Sequence, residues 1–327
     1  MTRLIIHIGA HKTATTSVQK YLNDDTDQLA ELGVYYPHCC WYHFSQHRIA
    51  FAMKGMIDPA AGDVPSFEDE IAALRLSLER SDAPTAVISS EEFFSAKETE
   101  IARLQQQLSD FEIRIVAFLR RPDELYLSTY NQRMKEPDSN FRLGIAEGLD
   151  EPERVCPDID LAANVRRWAR VFGGDKVTIH RFEDGDPIRV VLEAAGVDPD
   201  ILPPASIHIN KSAPNAVIEL MRIAKSTIPD PAIRRRLLTR AMKFFPADST
   251  SPLTGEQRQA IVARYQPSLD ELFAEFGMVN TYTTDNVASV AYEPFPGLKR
   301  WDLVRLIGVL IEESAATPAP PPETPGG

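Results

Sequence analysis

Residues Leu4-Ile5-Ile6-His7-Ile8-Gly9-Ala10-His11-Lys12-Thr13-Ala14-Thr15-Thr16-Ser17 decide the fold. The mostly branched apolar residues Leu4 to Ile8 predict a buried strand. Gly9 permits a sharp exit from it. Thr13, Thr15, Thr16 and Ser17 put hydroxyls where the first turn of a helix has unpaired N–H groups. Val18, Tyr21, Leu22, Leu29 and Leu32 then recur near helical spacing. A strand that feeds a helix N-terminus through such a loop is an anion site: free N–H groups and the positive end of the helix dipole face the ligand, and Lys12 adds a full charge. A plain strand-to-helix turn with capping hydroxyls is the alternative. The stretch departs from the ATP-binding P-loop, which places a glycine directly before its lysine. Here that residue is His11.

A second stretch repeats the pattern. The apolar run Ile113 to Leu119 predicts a strand and leads into Arg120-Arg121-Pro122-Asp123-Glu124-Leu125-Tyr126-Leu127-Ser128. Pro122 suits a first helical turn, and the acids Asp123 and Glu124 suit the dipole there. Arg120 closes the strand and Ser128 lies eight residues on, inside the helix. That spacing can bring a guanidinium and a hydroxyl to one phosphate, and arginine suits a planar two-point phosphate contact. An ordinary turn with a surface arginine pair is the alternative.

Taken in this order, the two stretches resemble the nucleotide-binding segments of sulfotransferases that use 3′-phosphoadenosine 5′-phosphosulfate (PAPS). His11, Lys12, Thr13, Ala14, Thr15, Thr16 and Ser17 are similar to the loop that holds the 5′-phosphosulfate. Arg120 and Ser128 are similar to the pair that holds the 3′-phosphate. The family usually has a glycine where this chain has Ala14, a departure that matters if the loop needs a positive φ there. The resemblance implies PAPS as the donor and an acceptor hydroxyl as the nucleophile, with no metal. It covers residues 1–215 and is specific only at these two stretches. In this family the strand ending near Ser90-Glu91-Glu92 supplies the acceptor-side acid or base, which implicates Glu91, with Glu92 in reserve. Many bacterial members carry a histidine followed by an apolar helix after a Tyr-Pro-like step, and His47 with Ile49 to Ala52 resembles it. Lys12, Glu91 and His47 are thus the candidate catalytic residues. The sequence does not rank the two bases. Phe182, at the end of a later predicted strand, falls where the family places the adenine, and a core role is equally open to it. Asn210-x-Ser212 resembles a late family segment that either caps a helix or helps hold the nucleotide.

Composition sets the outer bounds. The chain has 327 residues, 43% of them hydrophobic and 25% charged, which is the make-up of a globular protein. A net charge of −12 argues against nonspecific binding to nucleic acid or anionic membranes. An anionic ligand therefore needs a local basic site. Cys39, Cys40 and Cys156 form neither a disulfide framework nor a metal spacing. No N-terminal signal and no run of membrane-spanning length is present, so a reducing cytoplasm is the expected setting.

The rest of the chain alternates. Helices are expected over 68–80, around 101–108, over 159–172 and near 190–195, and strands over 85–89 and 176–184. Trp41-Tyr42-His43-Phe44-Ser45-Gln46-His47 reads either as a packed loop with surface histidines or as an acceptor-binding wall with a group suited to general base work. Residues 136–158 read as a loop or a weakly ordered lid. Arg234, Arg235, Arg236, Arg240 and Lys243 read either as a solvated helix face or as a contact for an anionic acceptor, such as a glycan with carboxylates.

The expected fold is α/β: a P-loop-like parallel sheet flanked by helices, with a mostly helical C-terminal part. Its expected divisions are a nucleotide-binding core over 1–215, a helical extension of the same domain over 216–314, and a disordered Pro-rich tail over 315–327. The function these features imply is sulfuryl transfer to a small-molecule or glycan hydroxyl. A small-molecule kinase would need Mg²⁺ held by the loop hydroxyl and a strand-end aspartate. A binding module that kept the fold without turnover is the third class.

Overall fold

A computed structural model describes residues 2–201, 213–247 and 249–316, with the side chains of 309–316 left aside. Asn210, Ser212 and most of the expected tail lie outside the described residues.

In chain order the elements are β1 (Arg3–His7), α1 (Thr15–Asp24), α2 (Thr26–Glu31), β2 (Val34–Tyr35), α3 (His47–Lys54), α4 (Phe67–Glu79), β3 (Thr85–Ser89), α5 (Glu98–Gln107), β4 (Glu112–Leu119) and α6 (Pro122–Lys135). They continue with α7 (Leu161–Phe172), β5 (Val177–Arg181), α8 (Pro187–Ala194), α9 (Asn215–Thr227), α10 (Pro231–Phe244), α11 (Gly255–Glu275), α12 (Thr284–Ala288) and α13 (Arg300–Ala316). The helical pattern from Val18 to Leu32 is split in two at Asp25, whose φ of −109° and ψ of 25° interrupt it. The polar run Asn23-Asp24-Asp25 supplies side chains that compete for the backbone there. Among the described residues no helix is long and apolar enough to cross a membrane.

Two compact units emerge. Residues 1–129, 151–210 and 258–289 form the first; residues 130–150, 211–257 and 290–327 form the second. The division differs from the one expected at residue 215, because α12 and most of α11 belong with the sheet.

The sheet of the first unit is parallel throughout, in the order β2-β3-β1-β4-β5. Its central strands read as near-continuous apolar runs because both faces are covered. On one face Ile5, Val87, Val116 and Phe118 pack with Val18, Tyr21 and Leu22 of α1 and with Ile188, Val191 and Leu192 of α8. Alternate residues point the other way, toward α7, whose fully buried Trp168 meets Phe93 edge to face.

This order places the site. β1 leads by way of α1 to strands on one side, and β4 leads to β5 on the other. The chain thus diverges between two neighbours, β1 and β4, which pair from Arg3↔Glu112 to His7↔Val116. Ligands of open parallel sheets bind at such a switch point, outside the carboxyl ends of the strands. Beyond the strand, Ile8 N–H still donates to Val116 O at 2.9 Å and Ala10 N–H to Phe118 O at 3.0 Å. The loop after β1 therefore runs beside the end of β4 before it turns into α1.

Candidate functional site

The loop after β1 is built by close approach. A Cβ on Gly9 would lie 2.8 Å from Thr13 Oγ1 and 2.9 Å from His7 Nε2, so only glycine fits. Thr13 Oγ1 donates to Ala10 O at 2.7 Å and clips the turn shut. Lys12 and Ala14 are both left-handed, with φ of 69° and 59°. Their backbones curve the N–H groups into a concavity of the kind that holds anions. Ser17 N–H takes Ala14 O at 2.9 Å, so the N–H groups of Thr15 and Thr16 precede the first intrahelical bond. Thr15 Oγ1 is buried with no hydrogen-bond partner. An anion seated in this concavity would supply the acceptor that the buried hydroxyl lacks.

Ala14 is the N-cap of α1 and makes no side-chain cap bond. Left-handed alanine costs roughly 1–2 kcal/mol that glycine avoids, set against roughly 0.4–1 kcal/mol for the more flexible unfolded glycine chain. Ala14→Gly is therefore expected to stabilise the fold by roughly 0.5–1 kcal/mol. Urea unfolding checks this, and a loss of stability would show that the loop carries no strain at Ala14.

Arg120 ties the second stretch to the first. Its Nη1 donates to Lys12 O at 3.0 Å across 108 residues of sequence. Its Nη2 lies 3.3 Å from Glu124 Oε2, its guanidinium stands 5.3 Å over the Phe182 ring centre, and its Nε is buried without a partner. Glu124 and Ser128 lie one turn apart on the same face of α6, and Arg120, two residues before its first residue, reaches back to Glu124. The Ser128 hydroxyl is half-buried and takes no protein hydrogen bond among the described residues. Glu124 would repel a phosphate on that face, but Arg258 Nη1 holds its Oε1 at 2.6 Å. Arg258 also reaches Asp123 Oδ2 at 2.9 Å, and Asp123 is chelated by Arg121 as well.

On the far side of the loop, β3 ends at Ser89, and Ser90 caps a short 3₁₀ turn, Glu91–Phe93. Gln19 of α1 donates to Glu91 Oε2 at 2.9 Å and to Ser89 Oγ at 3.3 Å. His47, the first residue of α3, sets Nδ1 2.7 Å from Ser90 Oγ and Nε2 3.7 Å from Glu91 Oε2. Ser90 Oγ also accepts from Glu92 N–H; when the Ser90 O–H donates to His47 Nδ1, Nε2–H faces Glu91. Burial lowers the His47 imidazole below its usual range against the pull of Glu91 and Glu92, so it is neutral near pH 7. Burial pushes the Glu91 carboxyl up, but His47, His11, its own backbone N–H and Gln19 together bring it below the usual range. Glu91 is therefore the ion and His47 the neutral partner. Behind them His7, bonded to Ser89 Oγ at 2.8 Å, is pushed by burial down to about 4, with Glu91 opposing.

Glu92 faces elsewhere. Lys54 Nζ donates to its Oε2 at 3.1 Å and to its carbonyl at 3.2 Å. His11 Nε2 lies 3.6 Å from Glu92 Oε1 and 3.5 Å from Asp158 Oδ2. The lysine engages Glu92, leaving Glu91 as the carboxylate beside His47. Of the aromatic stretch, Tyr42 stands edge-on to His47 and Phe51, while Trp41 packs on His38 and Tyr36. The segment from 136 on is irregular, and Val155 and Cys156 are fully buried.

Lys12, the hydroxyl-rich turn and Arg120 thus meet at one strand end, and Glu91 and His47 meet at the next. Gln19, Ser90, Asp158 and Arg258 also belong to these clusters, and no local pattern marks them in the sequence. Gln19 had one signal, a polar residue that is buried on an apolar helix face.

The chain is similar to a sulfotransferase. The solved structure of that protein, from Alicyclobacillus acidocaldarius, has a TM-score of 0.46 and 20% identity to it, covering 73% of this chain and 95% of that one. Identity that low speaks to neither donor nor acceptor. No family model matches the sequence, and no curated protein matches it.

Proposed function

We propose that this chain is a sulfotransferase that moves a sulfuryl group from PAPS to an acceptor hydroxyl, on a glycan or polysaccharide precursor. The observation that carries the reading is the hydrogen bond from Arg120 to the Lys12 carbonyl. It joins the two stretches that resemble the 5′-phosphosulfate and 3′-phosphate segments, as one ligand bearing both groups requires. Phe182 under the Arg120 guanidinium offers a face for the adenine next to the 3′-phosphate. The unpartnered Thr15 Oγ1 and Arg120 Nε are donors waiting for acceptors, which the phosphate groups supply.

Lys12 and the N–H groups of the turn hold the 5′-phosphosulfate and neutralise the charge that grows on the phosphate side as the S–O bond breaks. The acceptor oxygen attacks sulfur in line, adenosine 3′,5′-bisphosphate leaves, and the hydroxyl proton passes to Glu91. Gln19 engages Oε2 of that carboxylate and holds it in place. His47 presents Nε2–H to the same carboxylate and orients it.

Calorimetry of adenosine 3′,5′-bisphosphate against ATP tests the donor. The bisphosphate is expected to bind without metal and more tightly than ATP, and Arg120→Ala is expected to remove that preference. ATP binding more tightly, and only with Mg²⁺, would overturn the assignment and make the loop a variant kinase site.

A further inference from the structure

The second unit holds a group that nothing above uses. In α10 the run Arg234, Arg235 and Arg236 is not uniformly a solvated face. Arg235 and Arg236 are exposed, and Arg235 pairs with Asp138 at 2.7 Å. Arg234 is only 2% exposed. Its Nε is buried with no hydrogen-bond partner, and among the described residues no carboxylate pairs with its guanidinium. Lys225 of α9 is buried, donates from Nζ to Arg133 O, and sits in the field of Glu136, Arg234 and Arg133.

A buried charge without a partner costs several kcal/mol. The two cations differ in how they can escape that cost. Lysine can release its proton, and burial, with help from Arg234 and Arg133, pushes Lys225 down to about 8. Arginine cannot. Arg234 therefore keeps a full charge with no carboxylate paired to it among the described residues and its Nε unpartnered, and a guanidinium in that state is the natural partner of an oxyanion.

We infer that the second unit carries an oxyanion site built on Arg234 and flanked by Lys225, for the carboxylate or sulfate group of an acidic ligand. This inference stands on the second unit alone and does not depend on the donor reading.

The test is an NMR titration of the Lys225 ammonium in the full chain, at constant ionic strength, with sodium sulfate, glucuronate and, as the neutral control, glucose. An anion beside Arg234 stabilises the charged lysine, so sulfate or glucuronate is expected to raise the Lys225 midpoint by about one pH unit or more, a tenfold effect. Arg234→Gln removes that response, Arg236→Gln on the exposed face keeps it, and Lys12→Ala keeps it while losing anion binding at the first loop. A response to glucuronate at lower concentration than to sulfate assigns the carboxylate of an acidic acceptor; a response to sulfate alone assigns the free anion. Because wild-type protein gives the primary readout, a poorly folding Arg234→Gln leaves the test intact. No shift of Lys225 with either anion, or an equal shift in folded Arg234→Gln protein, overturns the site.

Discussion

Glu91→Gln is expected to lower turnover by about 100- to 10,000-fold, the usual range for removing a general base. The change is nearly isosteric: the new amide oxygen can still accept from Gln19, so the donor loop and the fold are left as they are. What disappears is the negative charge proposed to take the acceptor proton. Release of adenosine 3′,5′-bisphosphate from PAPS measures it, and the affinity for the bisphosphate is expected to be unchanged. His47→Ala is expected to cost less, because Glu91 retains its bond to Gln19 at 2.9 Å. The pH profile separates the two residues. Glu91 lies below the ordinary carboxylate value of 4.5, so with Glu91 as base the rate holds as pH falls until below 4.5. With His47 as base the acid limb follows the imidazole and is lost in the His47→Gln variant. A loss under tenfold for both Glu91→Gln and His47→Ala removes both from the chemistry.

Asp123→Ala is expected to destabilise the first unit by about 3–5 kcal/mol. Asp123 is fully buried and accepts from Arg121 at 2.6 and 3.0 Å and from Arg258 at 2.9 Å. Truncation takes from the buried Arg258 guanidinium the carboxylate it holds at 2.9 Å. Urea unfolding reads the loss, and pairing Asp123→Ala with Arg258→Met should recover much of it, since a removed pair costs less than a broken one. A loss under about 1 kcal/mol would show that the network adds little beyond a surface ion pair. The network also bears on binding. Arg258 draws Glu124 Oε1 to itself, which blunts the repulsion Glu124 would exert on a phosphate at Arg120.

Where apolar pattern and backbone chemistry coincide, the sequence was legible. Thr85–Ser89 is a strand because it is a branched apolar run buried on both faces. Pro122 begins α6 because its missing N–H and fixed φ suit a first helical turn. The i, i+4 pair Glu124 and Ser128 follows from helical geometry alone, whereas Arg120 stands before the helix. The departure at Ala14 was visible as a residue type, but its left-handed φ of 59° depends on how the loop closes over Gly9. Arg234 shows the limit most clearly. Beside Arg235 and Arg236 it reads as one charge of a solvated run, yet it is buried, because burial depends on which way a helix is turned.

Local rules therefore determined the strands, most helices, the hydroxyl-rich turn and the positions of Lys12 and Arg120 just beyond strand ends, since each depends on neighbours a few residues away. Only tertiary structure decided that Arg120 would touch the Lys12 carbonyl, that Gln19 and His47 would converge on Glu91 rather than Glu92, and that α12 would belong with the sheet. Strand order put β1 beside β4, and strand order is a property of long-range packing. Contacts between residues about a hundred positions apart are set by which apolar faces meet, and no short window of sequence contains that information.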